Sequence, residues 1–180
     1  MDFDLSDEQK MLAEQARGLL AERTPYDHLR KLIDSGAEWD AALWRELGEM
    51  GFLGANIPEA FGGLGMTELD LGVISQELGR VNAAVPFFSS IVLAADAIRL
   101  AGSEAQQAEW LPQLASGAVV ACFASAEGPG PVLGQGVRLA GGKLTGTKQP
   151  VADAGIASIA VVQVGDGLAL VRIDQPGVTR

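Results

Sequence analysis

Among the residues whose types most often carry acid–base, nucleophilic or metal chemistry, these 180 residues hold one histidine, His28, and one cysteine, Cys122. A single histidine cannot be both a general base and a set of ligands, and one cysteine excludes an internal disulfide and any multi-cysteine metal site. His28 stands beside Asp27 and Arg30 in a polar helical stretch and reads as a surface residue. Cys122 lies in an apolar run of β character and reads as a small buried hydrophobe, not a nucleophile. There is no Gly-x-Ser-x-Gly elbow. The run Phe61-Gly62-Gly63-Leu64-Gly65 falls between two helical segments, not between a strand and a helix, so it is no dinucleotide fingerprint. Its glycines suit a compact loop that needs positive φ and close backbone approach. Residue types and spacing alone therefore nominate no catalytic residue and no metal site.

The elements that would position any site change character near Gly117. Before it the apolar spacing is helical. Ser6 with Gln9 forms a capping box for a first helix lined by Leu12, Ala13, Ala16, Leu19 and Leu20. Pro25 is expected to open a second, shorter helix through Leu29, Leu32 and Ile33. A third carries Trp39, Leu43, Trp44 and Leu47, with Gly51 as its left-handed stop. Residues 54–66 read as an ordered loop, because Pro58 and the glycines forbid a regular helix. Thr67 with Asp70 begins a helix ending near Gly79; Pro86 begins a long apolar one to Leu100; Ser103 with Gln106 begins another ending at Gly117.

After Gly117, residues 119–125 read as a strand and residues 128–136 as a breaker-rich segment. Gly141-Gly142 and Gly165-Asp166-Gly167 each separate two short β runs and predict two hairpins. Helices first and strands after predict an α+β chain: an all-α helical domain over 1–116, then a partial antiparallel β-domain over 117–180.

Apolar residues make up 48% of the chain and charged residues 20%, the composition of a soluble globular protein. No apolar stretch approaches the ~20 residues that span a bilayer, so membrane insertion is not expected. Residues 1–8 are acidic and lack the basic region and apolar core of a secretory signal, which makes the cytoplasm the expected location. Of the net charge of −10, residues 1–116 contribute 19 acidic and 8 basic side chains and the remainder 4 acidic and 5 basic. Such acidity disfavours nucleic acid as a partner.

Five segments, in order and with matching gaps, resemble acyl-CoA dehydrogenases. They are residues 48–54 (Gly-Glu-Met-Gly-Phe-Leu-Gly), Ile57-Pro58-Glu59 followed by residues 61–65, residues 76–80 (Gln-Glu-Leu-Gly-Arg), residues 101–107 (Ala-Gly-Ser-Glu-Ala-Gln-Gln), and Trp110-Leu111-Pro112 followed by Ala115-Ser116-Gly117. The resemblance covers residues 3–125 closely and 137–178 more loosely. It implies FAD held between the β-domain and a C-terminal helical bundle, with acyl-CoA as substrate. A glutamate of that bundle would remove the α-proton while the β-hydrogen leaves as hydride to the flavin. The bundle would follow the β-domain, so the base is expected beyond Arg180 and no residue here is nominated as catalytic. The chain is accordingly expected to be a fragment of a longer protein.

The resemblance also implies which residues lie near ligands. Phe88, Ser89 and Val92 fall where family helices help wall the acyl chain. Phe123, Ser125, Ala126, Pro150 and Ala152 fall along the flavin wall. There the family usually carries a Thr-Glu-Pro loop followed by Gly-Ser-Asp, and later Lys-x-Trp-x-Thr. This chain has Ala126-Glu127-Gly128, no Gly-Ser-Asp in residues 129–136, and Lys148-Gln149-Pro150-Val151-Ala152. Glu127 aligns with a structural acidic position. Two functions follow from the resemblance: FAD-dependent α,β-dehydrogenation of an acyl-CoA thioester, or a catalytically silent, flavin-poor partner subunit in a mixed assembly. The family's usual dimers and tetramers imply a homo- or hetero-oligomer.

Overall fold

The computed structural model describes residues 4–129 and 136–180. By contacts the chain divides into two compact units, Met1–Phe87 with Ala115–Gly117, and Phe88–Leu114 with Ala118–Arg180. The change from helix to strand at Gly117 is therefore not where the compact units divide, because the apolar helical stretch after Phe87 groups with the strands.

In the first unit, α1 (Asp7–Arg23) opens on the expected capping box: Ser6 accepts from the Gln9 amide, and the Gln9 side chain accepts from Ser6 in return. It buries Ala13, Ala16 and Leu20 against α4 (Glu68–Arg80), which opens on the equivalent box of Thr67 and Asp70. The two helices are also joined by charge. Glu77 is buried and receives Arg17 through Nε (3.0 Å) and Nη2 (2.8 Å), and Arg80 through Nε (2.9 Å) and Nη2 (3.3 Å). These bonds to Arg17 first, and to Arg80 after it, hold the Glu77 carboxyl down at about 2 against the opposing effect of burial.

Helix α2 (His28–Asp34) starts three residues after Pro25, whose carbonyl accepts from the His28 amide in a turn, and it fully buries no residue. Its Ile33 is 67% exposed, so the expected apolar face is only partly used. Helix α3 (Ala41–Glu49) is capped by Asp40, which accepts from the Leu43 amide. It buries Leu43, Trp44 and Leu47, and Gly51 stops it at φ 81° as expected. Trp44 Nε1 donates to the Gly117 carbonyl at 3.0 Å, satisfying the indole in the core.

The loop after α3 contains two 3-10 turns, Phe52–Gly54 and Glu59–Phe61. A backbone contact closes it. A Cβ on Gly63 would lie 2.0 Å from the Ile57 carbonyl oxygen, so this position admits only glycine.

In the second unit, the long apolar stretch is helical but not α throughout. Phe88–Ala95 is a π-helix that continues as α5 (Asp96–Ala101) and is followed by α6 (Glu104–Ala115). Such wide turns occur as local features at functional sites. The sheet holds β1 (Ala121–Ala124), β4 (Ile159–Val164) and β5 (Gly167–Arg172) in the order β1-β4-β5, while β2 (Arg138–Ala140) and β3 (Lys143–Thr145) form a separate ribbon. Both expected hairpins are present and antiparallel, turning at Gly141-Gly142 and at Gly165-Asp166.

The expectation of a wholly antiparallel sheet fails at one pair: β1 runs parallel to β4, Ala121 opposite Ile159. No hairpin joins these two strands. The long intervening segment, with its own ribbon, lets the chain re-enter the sheet in the same direction. The α+β class itself stands.

Candidate functional site

All eight residues singled out from the sequence belong to the sheet-containing unit. The structure gathers them around two fastenings.

The first lies where β1 ends. Phe123 is half-buried in β1 opposite Val161, and Ser125 and Ala126 follow it. Ala126 offers its carbonyl to the Gln149 amide (2.8 Å), and Gly128 donates to the Gln149 carbonyl (2.6 Å), so Glu127 and Gln149 form an isolated parallel bridge. Beneath the bridge Lys148 is nearly buried and donates to Glu127 Oε1 (2.6 Å) and to the Ser125 carbonyl (3.1 Å). Glu127 also accepts from the amides of Gly136 (2.6 Å) and Val137 (3.2 Å). The bond from Lys148, followed by that from the Gly136 amide, holds the Glu127 carboxyl at about 2. Pro150 follows a cis Gln149–Pro150 bond, and Pro150 and Ala152 are both exposed.

The second fastening joins the π-helix to the sheet and to the following loop. Ser89 is buried and its hydroxyl donates to Asp153 Oδ2. Asp153 takes a left-handed backbone at φ 57°, uncommon outside glycine, and its carbonyl caps the turn by accepting from Ile156 and Ala157. The neighbouring Ser90, fully buried, accepts from the Ala121 amide at 3.0 Å. Consecutive serines thus tie one helical turn to β1 and to the loop that carries Ala152. Phe88 is 64% exposed and Val92 half-buried on the same segment.

Sequence reasoning placed Ser89 in a wall but did not find its partner Asp153, 64 residues away, nor Lys148 as the counter-charge of Glu127. Neither pairing has a local signal, since each is made by tertiary approach. Cys122 is buried as expected. Burial first, and the Asp153 charge second, push its thiol up to about 11, which leaves it protonated and unreactive at neutral pH. His28 is not simply a surface residue: its Nε2 lies 2.6 Å from Asp40 Oδ2, and Asp40 is buried. The segment missing the family's Gly-Ser-Asp falls mostly on residues 130–135, outside the described residues.

A helical unit followed in the chain by a second unit with a small mixed sheet is the architecture of the first half of an acyl-CoA dehydrogenase fold. The acyl-CoA dehydrogenase N-terminal domain family matches residues 6–118, and the chain belongs to that family.

Among curated proteins, it is 29% identical over 98% of its length to a probable acyl-CoA dehydrogenase of Bacillus subtilis, covering 32% of that protein. It is 35% identical over 84% of its length to the acyl-CoA dehydrogenase FadE27 of Mycobacterium tuberculosis, covering 42% of it. Among solved structures, the ChsE4–ChsE5 complex from Mycobacterium tuberculosis matches 99% of the chain at a TM-score of 0.88 and 29% identity, over 50% of that chain. A variant of the steroid acyl-CoA dehydrogenase Tcur3481–Tcur3483 matches 95% at a TM-score of 0.84 and 33% identity, over 49% of its chain. The chain thus spans about a third to two fifths of these curated relatives and about half of the solved chains. No described helix is long and apolar enough to cross a membrane.

Proposed function

We propose that this chain forms the N-terminal helical domain (1–116) and the first part of the β-domain (117–180) of a subunit in an acyl-CoA dehydrogenase assembly. The assembly would carry out α,β-dehydrogenation of an acyl-CoA thioester in cytoplasmic lipid breakdown, with FAD as hydride acceptor and the glutamate base on the flavin-carrying subunit. Within it, this chain is the flavin-poor partner subunit.

The observation that carries the second statement is the wall at the end of β1. Ala126, Pro150 and Ala152 present no hydrogen-bonding side chain. The backbone groups of Ala126 and Gly128 are spent on Gln149, and Lys148 is closed onto Glu127. Donors able to orient a flavin ring are therefore scarce, and the residues present do not fit FAD as a self-sufficient site. That the similar solved structures include the ChsE4–ChsE5 complex supports a mixed assembly. Ser89 would keep the π-helical wall of the acyl site, with Phe88 and Val92, at a set distance from the sheet through Asp153.

One observation favours the rival reading of a self-sufficient flavoenzyme. The ion pair and bridge that shape the loop are intact, and among the described residues the Ser125 hydroxyl makes no hydrogen bond. A visible spectrum of the full-length protein, purified alone and incubated with FAD, separates the two. Absence of bound-flavin absorbance is the expected result. A bound-flavin band that bleaches on adding an acyl-CoA would overturn the flavin-poor assignment.

A further inference from the structure

We draw no further inference here: the strongest candidate, the exposed apolar surface that Met50, Leu64 and Met66 form around the glycine loop after α3, is an unpartnered face, and nothing in the structure shows what covers it.

Discussion

Three glycines of the helical unit should respond to the same substitution in three different ways. At Gly63 an added methyl meets backbone: it would lie 2.0 Å from the Ile57 carbonyl oxygen, 2.5 Å from its carbon and 2.6 Å from the Ile57 Cβ. None of these is the free end of a side chain, so the loop must open. The Ile57 carbonyl also accepts from the Gly65 amide at 2.9 Å, a bond that the displacement would break. Overpacking of about 2–3 kcal/mol and a lost hydrogen bond of about 1 kcal/mol put Gly63→Ala near 3–4 kcal/mol destabilising. Gly62 has nothing within 4 Å of a Cβ but sits at φ 80°, so Gly62→Ala should cost only the left-handed penalty, about 1 kcal/mol. Gly72 lies inside α4 with open space around it and no positive φ, so Gly72→Ala should stabilise by about 0.5–1 kcal/mol. Urea unfolding followed by tryptophan fluorescence would give the three midpoints. The reasoning is refuted if Gly63→Ala costs no more than Gly62→Ala, since the steric account requires the gap.

Other expectations concern charge, buried polar groups and the thiol. Glu77→Gln keeps the shape and removes the charge from four hydrogen bonds; because Arg17 and Arg80 are each about half exposed, the loss should be about 2 kcal/mol at pH 7 in the same assay. Glu77 ordinarily titrates at 4.5 and is held at about 2 in the fold, so its contribution is complete above pH 4.5 and fades as pH falls toward 2. The difference between wild type and Glu77→Gln should shrink over that window, and a constant difference would contradict the ion-pair account. Ser90→Ala leaves the buried Ala121 amide without its acceptor and should cost about 1–3 kcal/mol by thermal unfolding. Cys122, buried and pushed up to about 11, should resist a thiol reagent at pH 8 until denaturant is added; labelling of the native protein at the rate of a free thiol would contradict its burial.

What could be read from the sequence was whatever is encoded within a few residues. The capping boxes at Ser6, Thr67 and Ser103 appear where expected, because a side chain and an amide three positions apart satisfy each other with no help from the rest of the chain. The hairpin at Gly141-Gly142 follows from a backbone with positive φ at both turn positions, and that at Gly165-Asp166 from positive φ at Gly165. The family was legible for a related reason: spaced glycines and prolines mark fixed loop geometry. Features made by approach across the chain were not legible. They include the parallel pairing of β1 with β4, the π-helical start of the apolar helix, the closure of Lys148 on Glu127, and the bonds of Ser89 to Asp153 and His28 to Asp40. Each joins groups 12 to 64 residues apart or depends on which face of a helix is covered, and no local spacing encodes either. The sequence by itself determined the family, the helix starts and the turns, because short-range sterics and hydrogen bonding suffice for them. Only the tertiary structure decided which charges are paired and which serine fastens which loop, because those depend on surfaces that meet only when the chain has folded.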